Sequence, residues 1–229
     1  KDKSQNEVWT QTLFIHAELN NFEGLLKTSK EALEYFPAEP LFYYFNGISN
    51  KWFENYEKAI LSLKTGLDFV IDNEKLVLEF YSSLADVYHK TNQHQLSDEY
   101  YEKVLEIDPE NILVLNNYAY FLSVRKIKLG YAKELSFRCN KIEPENGTYQ
   151  DTYAWILYQL KEYEKAKEWI LRAISNGGES SPVIVEHCGD IFYKLGETEE
   201  ALKKWKQAKE LGGSSRFLIQ KIEEKTLYE

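Results

Sequence analysis

The sequence holds few side chains whose types and spacing could support catalysis or metal binding. Asp86, His89 and His94 could meet near the end of one helix and the turn after it, and such a set could hold a metal ion. Two histidines and one carboxylate lack the usual ligand pattern of a zinc site, so we interpret them as solvated polar residues at a turn. His187 and Cys188 are adjacent, and neighbouring side chains on a helix do not face each other, which argues against a Cys–His nucleophile.

Sequence motifs of known chemistry are absent. The chain has no glycine-rich phosphate loop, HExxH, CxxC or nucleophile elbow. We therefore predict no enzymatic activity, no cofactor and no metal site. The two cysteines, Cys139 and Cys188, are too few for a disulfide framework, and we interpret both as small buried apolar residues.

The composition describes an acidic chain that can form a large packed interior. The 229 residues include 28 Lys and Arg against 37 Asp and Glu, which gives a net charge of −9. Such a chain repels phosphate backbones, so nucleic acid is not expected as a partner. The 17 Tyr, 12 Phe and 5 Trp argue against disorder. No apolar run reaches the roughly 18 residues of a membrane-spanning helix, so we predict no transmembrane insertion.

A pair of amphipathic helices recurs along the chain. The best-formed example extends from Asp151 to Ala173. One residue near the start of each second helix marks the register, and these residues are Leu25, Ala59, Ser97, Ala132, Ala166 and Ala201. Consecutive members of this series are 34 to 38 residues apart. A period near 34 built from two helices resembles the tetratricopeptide repeat, and the resemblance covers nearly the whole chain.

This resemblance implies an all-α fold, a right-handed α-solenoid of about six helix-turn-helix units with a C-terminal capping helix. We expect a single superhelical domain over residues 1–229. The predicted repeats are 6–39, 40–73, 78–111, 112–146, 147–181 and 182–215, and the predicted capping helix is 216–229. Residues 74–77 are extra and should lengthen a helix or enlarge a loop. In the capping helix, the residues expected to share one apolar side are Phe217, Leu218, Ile219 and Ile222, with Lys and Glu elsewhere.

Small residues in the first helices of the second to sixth pairs should allow the second helix of each pair to cross closely. They are Gly47, Ala85, Ala119, Ala154 and Gly189. A larger side chain there would overpack the crossing and cost about 1–3 kcal/mol.

In tetratricopeptide proteins the first helices line a concave surface that holds peptide segments, and the resemblance implies the same here. The groove is predicted to be richest in repeats four to six, with the residues Asn116, Asn117, Tyr120, Asp151, Trp155, Tyr158, Glu186, Asp190 and Tyr193. Asparagines suit a peptide backbone, the aromatic rings suit apolar side chains, and the carboxylates favour Lys or Arg. In the first repeats the same stripe holds Thr10, Phe14, Ala17, Tyr44, Ile48 and Lys51. A competing interpretation is that Trp155 and Tyr158 pack against the neighbouring repeat or the chain's own tail.

Two function classes remain open. The first is a non-enzymatic scaffold that binds a protein or peptide segment, apolar with basic residues. The alternative is a structural subunit of an oligomeric or envelope-associated assembly with no free-peptide ligand. Binding of acidic chaperone tails is not expected, because Glu79 and Asp86 would repel them. The chain begins at Lys1, which we interpret as a trimmed start. A resemblance to bacterial tetratricopeptide proteins favours a periplasmic or envelope-associated location over the cytoplasm.

Overall fold

Residues 5–228 are the part of the chain that this computed structural model describes, and they form thirteen α-helices and one 3-10 turn. The helices are α1 (Asn6–Glu18), α2 (Phe22–Tyr35), α3 (Pro40–Trp52), α4 (Tyr56–Asp68), α5 (Glu74–Lys90), α6 (His94–Ile107), α7 (Ile112–Val124), α8 (Leu129–Ile142), α9 (Gly147–Gln159), α10 (Tyr163–Ser175), α11 (Pro182–Lys194), α12 (Thr198–Glu210) and α13 (Leu218–Glu224). The 3-10 turn, Gly178–Ser180, lies between α10 and α11. Within these residues there is no strand, and no helix has both the length and the apolar character needed to cross a bilayer. The predicted all-α class is confirmed.

The helices group into two compact units, the first ending at Pro109 and the second beginning at Glu110. In the first unit α1 packs on α2, α3 on α4, and α5 on α6. In the second unit α7 packs on α8, α9 on α10, and α11 on α12, while α13 packs on α12. Each unit therefore contains three consecutive helix pairs. The expectation of a single domain over residues 1–229 stays a prediction.

Local chemistry sets where the first helices of the second unit begin. The side chains of Asn111, Asn146 and Ser181 accept backbone N–H groups at the starts of α7, α9 and α11. Such caps satisfy donors that have no partner inside the helix. Pro182 occupies the first turn of α11, where its missing N–H is not needed. These starts fix the register of the three helices that carry the predicted groove residues.

The turn inside each helix pair is held by the backbone. Every turn has a residue with a left-handed φ at the equivalent place, and these residues are Asn20, Glu54, Asn92, Lys126, Lys161 and Gly196; the fourth turn has a second such residue, Lys128. In the fifth pair the N–H of Lys161 donates to the Tyr158 carbonyl and the N–H of Glu162 to the Leu157 carbonyl, both at 2.9 Å. These are the two hydrogen bonds of a Schellman motif. Of the six, only Gly196 lacks the Cβ that disfavours this conformation.

Small residues allow close contact where paired helices cross, as expected from the sequence. A Cβ added to Gly189 would lie 2.5 Å from Cδ1 of Trp205, and one added to Gly47 would lie 2.6 Å from the Leu63 side chain. Ala154 is fully buried. Both cysteines are also buried and carry free thiols, and burial raises the pKa of Cys139 and of Cys188 to about 12.

Two segments depart from or refine the sequence-based picture. The four extra residues 74–77 lengthen α5, which begins at Glu74 and has 17 residues. The tail helix α13 covers Leu218–Glu224 instead of 216–229. The apolar side predicted for the tail is wrong at Ile219, which is 55% exposed, whereas Leu218 and Lys221 are buried. The buried side of α13 passes through these last two residues because they are three positions apart on a helix.

Candidate functional site

The second unit holds a cavity of about 430 Å³ formed by residues of α7, α9 and α11 together with the tail. Its walls include both aromatic and charged side chains. The lining residues are Tyr120, Val124, Lys126, Trp155, Tyr158, Gln159, Val183, Glu186, His187, Asp190, Ser215, Arg216, Phe217, Lys221 and Tyr228. Five of the nine predicted groove residues are therefore brought together in one cavity, and the chain's own tail forms one of its sides.

Trp155 is at the centre of a stack of rings in this cavity. Its indole lies parallel to the Tyr158 ring, with centroids 4.6 Å apart and planes 7° apart. On α11, the His187 imidazole lies 4.0 Å from the indole at 15°. Trp155 is half-buried, whereas Tyr158 is buried. The stack holds the indole in a fixed orientation, and part of its surface is left for contact.

An ion pair with Asp151 holds His187 in its place in this stack. Its Nδ1 lies 2.9 Å and 3.1 Å from the two carboxylate oxygens of Asp151, which is buried on α9. Burial by itself would lower the pKa of His187, but the charge and hydrogen bond of Asp151, with added effects of Asp190 and Glu186, raise it above the ordinary value. Asp151 therefore pairs with a residue of the same unit, and it orients the ring against which Trp155 stacks.

The carboxylates of Glu186 and Asp190 hold the ammonium group of Lys221. Lys221 Nζ lies 2.9 Å from Glu186 Oε1 and 2.8 Å from each oxygen of Asp190. The indole N–H of Trp205 donates to Asp190 Oδ1 at 2.8 Å, and the hydroxyl of Ser215 donates to Glu186 Oε1 at 2.6 Å. Burial raises the pKa of Asp190, while Lys221 and the Trp205 N–H act against that rise.

A second, smaller cleft of about 200 Å³ adjoins the cavity, with which it shares Tyr120 and Val183. Asn116 and Asp151 also line it. The Oδ1 atom of Asn116 is buried and accepts no hydrogen bond within residues 5–228. Burial and the Asp151 carboxylate raise the pKa of Tyr120, so its hydroxyl stays protonated and can donate. The cleft thus offers an acceptor and a donor a short way from Trp155.

Two predicted groove residues lie outside both clefts. Asn117 is half-buried and lines neither of them. Tyr193 is half-buried and packs against Trp205, with ring centroids 5.7 Å apart. The structure also adds His187, Lys221 and Trp205, which sequence reasoning did not place at the site. The repeat period could have identified His187 and Lys221. His187 lies 36 residues after Asp151, and Lys221 lies 35 residues after Glu186, so each is about one repeat away from its partner.

The first unit has its own groove of about 630 Å³, in which Phe14, Ala17, Tyr44 and Ile48 of the predicted stripe line the wall. The Tyr44 hydroxyl donates to Glu79, at 3.1 Å. Like the cavity of the second unit, this groove has two carboxylates in its lining, but it has one basic residue where that cavity has several.

The three residues considered for metal binding do not form one site. Asp86 accepts hydrogen bonds from Lys51 at 3.0 Å and from the Tyr101 hydroxyl at 2.6 Å. The rings of His89 and His94 have centroids 5.4 Å apart and planes tilted by 47°. In residues 5–228 no group of three or more His, Cys, Asp or Glu has the geometry to hold a metal ion.

Sequence comparison finds tetratricopeptide repeats in both units. The family model of the tetratricopeptide repeat matches residues 78–111 and 149–176. The type IV pilus assembly protein PilF of Pseudomonas aeruginosa is 28% identical over 141 residues, which are 61% of this chain and 54% of that protein. The chain therefore spans about half the length of this curated relative.

Solved structures show the same fold. The PilF structure aligns with a TM-score of 0.65 at 22% identity, over 80% of this chain and 85% of that one. YrrB, described as a tetratricopeptide protein with an unusual peptide-binding site, aligns with a TM-score of 0.60 at 18% identity, over 76% and 88%. A chain of the APC/C hetero-tetramer Cut9–Hcn1 reaches 0.84 at 9% identity, over 99% and 44%. These likenesses establish the fold, an all-helical repeat solenoid.

Proposed function

Since the chain is a tetratricopeptide-repeat protein, we propose that it is a non-enzymatic scaffold that binds a protein or peptide segment in the groove of repeats four to six. One observation carries the proposal. The 430 Å³ cavity of the second unit presents a half-buried Trp155, stacked with Tyr158 and with His187, next to buried carboxylates. Ligand sites combine apolar walls with a few fixed polar groups in this way.

The rings give the cavity its capacity for apolar side chains. Trp and Tyr are the residue types that most often dominate binding energies, because they bury a large area at little cost in side-chain freedom. Trp155 is already stacked with two other rings, so it loses little freedom when a ligand contacts its remaining surface. We assign Trp155 and Tyr120 as the residues that contact an apolar side chain of the partner.

The polar groups favour a basic segment in an extended or helical form. Glu186 and Asp190 bind an ammonium group, that of Lys221, in the structure itself. Asn116 Oδ1, which accepts no hydrogen bond within residues 5–228, is suited to a backbone N–H of the partner. A net charge of −9 disfavours nucleic acid. YrrB supports the proposal by analogy, because it combines this fold with a peptide-binding site.

The second candidate is a structural subunit whose groove is filled by its own tail or that of a second copy. The observation that favours it is the position of Ser215, Phe217 and Lys221 along one side of the cavity. Sedimentation velocity separates the two candidates. A monomer that binds added peptide supports the scaffold, whereas a stable oligomer that binds none supports the subunit.

Selection from a random peptide display library tests the scaffold directly. Peptides enriched on the wild-type protein should bind the Trp155→Ala variant at least about 30-fold more weakly, which corresponds to roughly 2 kcal/mol. Trp52→Ala is the matched control, because Trp52 is 62% exposed on the first unit and stacks on Phe22. It should change affinity less than about twofold. Selected peptides that bind both variants equally would rule out Trp155 as a contact residue.

A further inference from the structure

We propose that Glu186, Asp190 and the indole of Trp205 form a binding site for a lysine side chain presented on a short helix, and that α13 occupies this site as an internal ligand. A partner segment with a lysine on an apolar helix would bind by displacing α13. The proposal rests on the proposed function of the groove and names the partner chemistry of that site.

The arrangement around Lys221 is specific for an ammonium group. Three carboxylate oxygens lie within 2.9 Å of Nζ. The Trp205 ring faces the same nitrogen, with its centroid 5.9 Å away. The side chains of Lys221, Glu186 and Asp190 are only 5%, 10% and 6% exposed. Because a buried charge without partners is very unfavourable, this set of acceptors selects a cation and rejects an apolar side chain.

The two carboxylates belong to the groove and not to the tail. Glu186 and Asp190 are four residues apart on α11, so they project from the same side of the helix. Both line the 430 Å³ cavity beside His187 and Trp155. An ammonium ligand therefore arrives at the surface that we propose for partner binding, whether it comes from Lys221 or from another chain.

The helix α13 has the features of a docked segment. It has seven residues, fewer than an isolated helix needs to be stable in water, so its structure depends on the contacts it makes. Leu218 supplies its buried apolar contact and Lys221 its buried polar one, while Ile219 remains 55% exposed. A partner helix that carries leucine and lysine three positions apart reproduces both contacts.

The connection to α12 makes the internal ligand a strong competitor. The tail follows α12 after a short segment in which Gly212 has a φ of +90°. A short tether keeps an attached ligand at an effective concentration on the order of millimolar. An external segment therefore has to bind more tightly than the tail, or the tail has to be weakened, before exchange is observed.

The experiment uses the full chain and a synthetic peptide of residues 214–228 labelled with fluorescein. The double variant Leu218→Ser, Lys221→Ala weakens the docked tail and should bind the peptide at least tenfold more tightly than the wild type does. A peptide with Lys221→Met should lose at least tenfold in affinity for the double variant. The matched peptide with Lys225→Met should stay within twofold, since Lys225 is exposed.

Equal binding of the Lys221→Met and Lys225→Met peptides would overturn the ammonium site. If circular dichroism shows that the double variant is folded and it binds the peptide no more tightly than the wild type does, the proposed displacement of α13 is rejected. If the double variant does not fold, isotope-labelled wild-type protein is incubated with excess unlabelled peptide. Hydrogen exchange should then accelerate in α13 and not in α12, and unchanged exchange with peptide bound would reject the proposal.

A small-molecule probe tests the same site without a peptide. In the Lys221→Ala variant, n-butylammonium should raise the melting temperature, because its NH₃⁺ group replaces that of the lysine. Tetramethylammonium, which has no N–H to donate, should not. Equal effects of both ions would count against the site. If binding of the library peptides requires Trp155 while these tests give negative results, the scaffold function is retained and only the lysine site is rejected.

Discussion

The indole N–H of Trp205 on α12 donates to the carboxylate of Asp190 on α11 at 2.8 Å, and both side chains are buried. The same carboxylate binds Lys221 on α13. One acidic side chain thus connects three helices at the end of the second unit. Such a shared polar group is satisfied only when all its partners are in place, which makes it sensitive to substitution.

Replacing Asp190 with Leu should destabilise the protein by about 3–5 kcal/mol. The substitution removes the acceptor of the Trp205 N–H and leaves the buried Lys221 ammonium with Glu186 alone. Urea denaturation followed by circular dichroism measures the change. Glu200→Gln, which affects an exposed pair with Lys203, should leave the urea midpoint unchanged. An Asp190→Leu variant as stable as the wild type would falsify the view that this carboxylate is required.

Replacing Gly189 with Ala should cost about 1–3 kcal/mol, because the added Cβ would lie 2.5 Å from Trp205 Cδ1 and 3.1 Å from the carbonyl oxygen of Ala201. The matched substitution is Gly130→Ala. Gly130 lies in α8 with no atom within 4 Å of the added Cβ, so alanine there should stabilise by about 0.5–1 kcal/mol. Thermal and urea unfolding of both variants tests the contrast, and the two variants must move in opposite directions.

The stability of the protein should depend on the protonation of His187. Its pKa is raised in the folded state, so the protonated form is stabilised by folding. The contribution is fully present below the ordinary pKa of about 6.5 and is lost as the pH rises through the folded-state pKa. As the pH rises from about 6.5 through the folded-state pKa, the free energy of unfolding should therefore decrease more steeply in the wild type than in His187→Gln.

Asp151→Asn provides the control for this pH dependence. Without the carboxylate, the largest effects that raise the pKa of His187 are removed, while burial, which lowers it, remains, so the stabilisation from protonated His187 should shrink. The chain has four histidines. Subtracting the pH profile of His187→Gln from that of the wild type removes the effects of the other three. Identical pH profiles for wild type and His187→Gln would contradict the assignment.

Replacing Lys161 with Gly should stabilise the fifth helix pair by about 0.5–1 kcal/mol. Lys161 has a φ of +63°, which costs a residue with a Cβ about 1–2 kcal/mol, and the greater freedom of glycine in the unfolded chain offsets part of the gain. Gly196→Ala is the reverse experiment in the sixth pair, where φ is +82°. It should lower stability by about 1 kcal/mol. Melting curves of the two variants should shift in opposite directions.

The repeat could be predicted from the sequence because it depends on local and periodic features. Small residues such as Ala154 and Gly189 recur at helix crossings, and a period near 34 defines the pairs. The position of Lys221 could not be predicted in the same way. Lysine normally favours water, and its burial depends on two carboxylates that lie 31 and 35 residues earlier in the chain.

Part of the cavity lining could be anticipated from the sequence, but the pairing of its side chains could not. Trp155, Glu186 and Asp190 were expected in the groove, and they line one cavity. His187 was considered only with its neighbour Cys188, whereas its partner is Asp151, one repeat away. Stacking of first helices brings residues about one period apart into contact, and this rule also explains the Lys51–Asp86 pair of the first unit.

The state of the two thiols has a practical consequence for spectroscopy. Because Cys139 and Cys188 are buried and their thiolates are disfavoured at neutral pH, alkylating reagents should leave both untouched in the folded protein. A cysteine introduced at an exposed turn position, such as Lys161, would then take up a dye or spin label selectively. Distances between two such labels could be measured in the native chain without first removing its own cysteines.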